Sequence, residues 1–206
     1  MFKTIKEDTS AEIVEKKSRF IANVFYIENV EEAEEKIKEI KKKYFDARHN
    51  CFAYRIATES KIVERFSDDG EPSGTAGAPM LTVLAGNNLA NILVVVTRYF
   101  GGTLLGTGGL IRAYTLSVKS ALEKTNFEEK VKGLKVELQI SYQDFEKFKY
   151  YCTVKNIKIC KIEYFEYIKT KIELTKEMFC QIQKEKNELN FKILENKILE
   201  EKYITL

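Results

Sequence analysis

The chain has 206 residues, 44% hydrophobic and 32% charged, a length that supports one large or two modest domains and a composition that excludes a disordered or membrane-embedded protein. Its net charge of +3 makes it no extreme polycation. The four cysteines, Cys51, Cys152, Cys160 and Cys180, lack C-x-x-C spacing, which argues against a disulfide framework or a structural zinc site.

Met1 to Ser18 mixes Lys, Glu and Asp without an apolar segment, so no signal peptide is expected. No apolar run approaches the about 20 residues that span a bilayer, and a cytoplasmic location without membrane contact is the expectation. Glu12 to Ile27 reads as two strands broken at Lys16-Lys17-Ser18-Arg19. A helix follows, with Asn29 as N-cap, Glu32 three residues on, an apolar stripe of Ala33, Ile37, Ile40 and Tyr44, and Lys41-Lys42-Lys43 at its end. His49 to Ala57 alternates as a strand, with Cys51, Ala53 and Arg55 on one side and Phe52, Tyr54 and Ile56 on the other; Ile62, Val63 and Phe66 return as its hairpin partner. Ser67 to Pro79 holds both prolines and three glycines, and is expected to be an irregular loop, with a helix from Met80 to about Gly86.

The next stretch organises the chain. The apolar run Ile92 to Val96 predicts a buried strand, Arg98 to Arg112 a glycine-rich turn, and Leu110 to Leu122 a helix. Glycines in a strand-to-helix connection free backbone N–H groups for a ligand, and a helix N-terminus adds partial positive charge. Arg98, Gly101, Gly102, Thr103, Gly106, Thr107, Gly108, Gly109 and Arg112 are therefore the candidate anion or nucleic-acid contacts. The stretch is no Walker loop, because Thr107-Gly108 stands where Lys and a hydroxyl belong, and no dinucleotide fingerprint, because Ile111 replaces the third glycine. The bland reading is close helix-on-sheet packing with the arginines paired to acids.

Asp68, Asp69 and Glu71, with Ser73 and Thr75, offer an acidic loop that suits general acid–base work or a hard cation; turn formation and salt bridges to Arg98 or Arg112 explain the same residues. His49, the single histidine, precedes Cys51 by two residues, so a thiolate–imidazole pair stands beside the reading of a buried cysteine and a hydrogen-bonded histidine. No catalytic residue is assigned; an enzyme would draw on Asp68, Asp69, Glu71 and His49. No metal or cofactor is expected.

The composition shifts after Leu122. Residues 1–130 hold 19 basic and 19 acidic side chains, whereas the remainder holds 15 lysines against 12 acids and no arginine. Leu134 to Tyr142, Gln143 to Lys155, Ile157 to Phe165, Tyr167 to Leu174, Glu177 to Leu189 and Lys192 to Ile204 read as βαββαβ, the ferredoxin-like order. Tyr142, Tyr150, Tyr151, Tyr164, Phe165 and Tyr167 lie among its lysines, an arrangement compatible with base stacking or with core packing. The domains expected are 1–128 and 129–206.

Ala47 to Tyr54, Ser67 to Gly77, and Arg98 to Gly102 with Leu105 to Tyr114 are three ordered blocks that resemble the hallmarks of the IMPACT/YigZ family, bacterial two-domain type. The resemblance implies an α+β protein: a first domain built as the α/β sandwich shared by a small-subunit ribosomal protein and domain IV of elongation factor G, and a second like domain V of that factor. Eukaryotic members regulate translation by competing for a ribosome-associated activator of an initiation-factor kinase, using an extra N-terminal domain not expected here. The leading expectation is a translation-associated regulatory protein that binds RNA or the ribosome through the arginine-flanked loop and a lysine-rich second domain. The alternatives are an enzyme acting on a phosphorylated or nucleotide-like small molecule, and a protein-binding module exposing Tyr99, Phe100 and Leu104. The ligand and the oligomeric state are left unspecified by the sequence.

Overall fold

A computed structural model describes residues 1–205, which form an α+β protein with two sheets and five helices. Contacts divide it into two units, Phe2–Glu128 and residues 129–205. Among the described residues, no helix is long and apolar enough to cross a membrane.

The first unit runs β1 (Phe2–Ile5), β2 (Thr9–Glu15), β3 (Ser18–Tyr26), α1 (Val30–Lys43), β4 (His49–Ala57), β5 (Ile62–Ser67), α2 (Gly77–Gly86), β6 (Ile92–Tyr99) and α3 (Gly106–Leu122). Its sheet has the order β2-β3-β6-β4-β5, with every neighbouring pair antiparallel. The central strand β6 is apolar from Ile92 to Val96 because both of its faces are covered there. Val94 and Val96 pack with Met80 of α2 and Tyr114 and Val118 of α3, whereas Leu93 and Val95 pack with Ile37 and Ile40 of α1. Burying each such side chain contributes about 1.5–3 kcal/mol, so this strand anchors both layers.

Helix α1 starts where the sequence signals it. The Asn29 side-chain oxygen accepts from the Glu32 N–H at 2.8 Å, and Glu32 reaches back to the Asn29 amide and the Glu28 N–H, both at 2.8 Å. Two starts differ from expectation. Helix α2 begins at Gly77, inside the expected loop, with Pro79 in its first turn; a proline there sacrifices no intrahelical bond. Helix α3 begins at Gly106, which enters it at φ 71°, so Thr107, Gly108 and Gly109 are helical rather than part of a turn. Packing of Leu110, Ala113 and Tyr114 on the sheet overrides the poor helix propensity of those glycines.

The second unit contains β7 (Phe127–Ile140), α4 (Tyr142–Val154), β8 (Lys158–Tyr164), β9 (Ile168–Thr175), α5 (Lys176–Lys184) and β10 (Ile193–Thr205). Its strands pair antiparallel in the order β10-β7-β9-β8. Alternation divides the two faces: Val136, Leu138, Ile140, Ile172 and Leu174 meet Phe145, Phe148 and Ile182, while Lys135, Glu137, Lys169, Lys171 and Glu173 take the other face. Strand β7 starts seven residues before the expected Leu134, and α5 ends at Lys184 rather than Leu189.

Candidate functional site

Register gathers the special loops of the first unit at one end of its sheet. Arg98 lies opposite both Phe20 and His49, and Arg19 opposite Tyr99. The start of β3, the end of β6 and the start of β4 therefore meet, and with them the Lys16-Lys17 turn, the acidic loop and the start of α3.

Arg98 points inward. Its Nη1 donates to Glu71 Oε1 at 2.7 Å, with the two side chains only 7% and 3% exposed. The Tyr114 hydroxyl donates to the same carboxylate oxygen at 2.8 Å. The guanidinium lies over the Phe20 ring at 5.4 Å and the Phe100 ring at 5.7 Å. The charge of Arg98 is therefore neutralised within the fold. Burial pushes the Tyr114 phenol upward and the Cys51 thiol up to about 12. The Cys51 sulfur lies 3.0 Å from the Asp68 carbonyl and 3.3 Å from the Tyr114 hydroxyl, as a buried protonated thiol.

The acidic loop is held by its own carboxylates. Asp68 accepts from the Gly74, Ala76 and Gly77 N–H groups at 2.8, 3.0 and 2.8 Å. It caps α2 from nine residues upstream, a task that Ala76 at the N-cap position has no side chain to perform. Asp69, in the left-handed region at φ 41°, accepts from the Asn50 N–H and from Lys41, both at 2.7 Å. Its carbonyl meets His49 Nδ1 at 2.9 Å. The Thr75 hydroxyl donates to the Pro72 carbonyl at 2.6 Å, and Ser73 is exposed. Each of the three carboxylates has a structural partner, and His49 and Cys51 turn to separate acceptors rather than to each other.

A cleft of about 450 Å³ opens beside Arg48, Glu71, Phe100, Leu104 and Thr107, at the start of α3. No side chain caps that helix end and no acid lies in its first turn, so its N–H groups carry partial positive charge without an internal acceptor. Arg112 is exposed, with Nη1 3.6 Å from where a Cβ on Gly108 would stand. Arg48, Lys16 and Lys17 are exposed too, and none of the four cations has a carboxylate within 4.0 Å among the described residues. Arg48 and the lysines carried no distinguishing sequence signal, since surface cations are common. At the cleft mouth, Leu104 is 82% and Phe100 54% exposed, whereas the half-buried Tyr99 donates its hydroxyl to Asp46 at 2.7 Å.

Gly101 and Gly102 shape the approach to this cleft. A Cβ on Gly101 would overlap the backbone of Lys17 and Ser18, and the Gly101 N–H donates to Ser18 Oγ at 3.1 Å. Gly102 takes φ 84°, and Thr103 is exposed. In the second unit, Tyr142 stacks on Tyr164 at 6.4 Å and donates to the Phe165 carbonyl, Tyr151 packs on Phe191, Tyr150 stands exposed, and Tyr167 is half-buried. The open sheet face there carries a lattice of ion pairs: Glu137 with Lys169 and Lys171, and Glu173 with Lys158 and Lys202.

The family model described as the Impact N-terminal domain matches residues 16–122. An IMPACT family member of Bacillus subtilis, YvyE, is 50% identical over 127 residues, 62% of this chain and 58% of that protein. The chain thus matches little more than half the length of that relative. A Haemophilus influenzae IMPACT family member is 41% identical over 145 residues, 70% of each. The crystal structure of a hypothetical protein shares 32% identity and a TM-score of 0.64, covering 91% of this chain and 90% of its own.

Proposed function

The chain belongs to the IMPACT/YigZ family, and on that premise we propose that it regulates translation by binding RNA or the ribosome through the loop end of its first unit. The translational role is supported by family membership. A ribosomal-protein and elongation-factor-G likeness of the first unit, a ferredoxin-like likeness of the second, and a cytoplasmic location form part of the same proposal; the βαββαβ order of the second unit supports it.

One observation carries the binding surface: exposed cations without acidic partners among the described residues lie around a helix N-terminus that no side chain among them caps. Phosphate oxygens are met by such cations and by helix-terminal N–H groups, at a strength that falls with salt. Arg48, Arg112 and the amides of Gly106 to Gly109 take this role, and Arg98 supports the loop from within. The experiment is ribosome co-sedimentation at low salt with the double variant Arg48→Glu, Arg112→Glu. Loss of tenfold or more in affinity is expected, and unchanged binding refutes the surface. The exposure of Leu104 and Phe100 favours a second reading, in which a protein partner seats on the cleft. Leu104→Asp would then abolish binding that the arginine variant leaves intact.

A further inference from the structure

Lys16 and Lys17 form the whole two-residue connection between β2 and β3, since Glu15 pairs with Ser18. Both take positive φ, 45° and 67°. A two-residue connection of this kind requires positive φ at both positions and favours Asn-Gly, because a lysine Cβ crowds the backbone there and its side chain makes no local bond in return. The turn is nevertheless seated firmly: Gly101 leaves room for it by lacking a Cβ, and the Gly101 N–H donates to Ser18 Oγ. Two adjacent exposed lysines are thereby carried on a backbone held beside Gly101, with no carboxylate within 4.0 Å of either ammonium among the described residues.

We propose that this strained lysine turn is a preformed contact for the phosphodiester backbone of RNA, extending the cationic surface from Arg48 and Arg112 to the β2–β3 tip. Strained backbone persists where the surrounding structure holds it, and such sites concentrate at ligand contacts. Lysine suits a phosphate as a compact point charge that reads no sequence, so the contact is to backbone rather than base. The inference rests on the RNA reading above.

Its test is the double variant Lys16→Asn, Lys17→Gly, which installs the favoured turn residues while removing both charges. Binding of a fluorescein-labelled single-stranded oligouridylate is titrated across a salt series, with thermal unfolding run in parallel. The variant is expected to bind about tenfold more weakly at low salt, with the slope of log K against log salt shallower by about 1.4 for two lost single-strand phosphate contacts. Its unfolding midpoint is expected to rise by about 2–4 °C as the strain is relieved. Lys16→Arg, Lys17→Arg should bind as the parent does. Parent-like affinity and slope in the Asn-Gly variant overturn the inference alone, and a lowered midpoint overturns the strain argument. Failure of the unaltered protein to bind the oligouridylate at 50 mM salt overturns the RNA reading and the inference with it.

Discussion

On the open sheet face of the second unit, Lys169 and Lys171 flank Glu137 at 3.3 and 4.0 Å, and Lys158 and Lys202 flank Glu173 at 3.7 and 3.2 Å. At the loop end of the first unit, Lys16, Lys17, Arg48 and Arg112 face solvent without such partners among the described residues. Charges satisfied by neighbours exert little pull at a distance, whereas unpaired ones keep their field for an anionic ligand. A count of lysines alone therefore does not measure the field that either unit offers to an anion. A third arrangement lies beneath the second of these surfaces, where Arg98 and Glu71 are paired inside the fold and serve its architecture.

The contrast can be broken at each of its levels. The largest effect belongs to Glu71→Ala, which leaves Arg98 buried without a counter-charge and should cost about 3–5 kcal/mol in urea unfolding. A loss below about 1 kcal/mol would mean that the pair is effectively solvated. Alkaline pH comes next. Burial pushes the thiols of Cys51 and Cys152 from 9.0 up to about 12, so each holds its proton more tightly folded than unfolded. Their contribution to stability is complete below pH 9 and is lost as pH climbs from 9 towards 12. Pulse alkylation under native conditions should label the exposed Cys160 and Cys180 well before the two buried thiols, and equal rates would contradict this environment. The smallest effect is expected for Lys158→Ala, because its side chain is 66% exposed and Glu173 retains Lys202. A change in unfolding free energy of less than about 1 kcal/mol is expected; a larger loss would show that the sheet lattice acts cooperatively.

Much of this architecture was legible locally. Asn29 with Glu32 signalled the start of α1, and the alternation of His49 to Ala57 assigned both faces of β4. The inward direction of Arg98 was legible as well, since counting by twos from Val94 and Val96 puts it on the α2–α3 side. The sequence leaves open whether Arg98 meets a ligand or an acid of the Ser67 to Pro79 loop; the closure of that loop, which has no periodicity, brings Glu71 to it from 27 residues away and decides for the pair. The capping of α2 by Asp68 and the close approach of Lys17 to Gly101 depend on loop closure, which short-range pattern does not encode. The start of α3 at Gly106 was hidden for the opposite reason: tertiary packing imposes helix on residues that disfavour it.

The seat at Gly101 also limits how this protein can change over time. An insertion of one residue at the β2–β3 tip would displace the backbone that fills the space beside Gly101, and any side chain acquired at 101 would expel that tip. Two loops some eighty residues apart are thus bound to a common length: neither can grow unless the other is rebuilt in the same step.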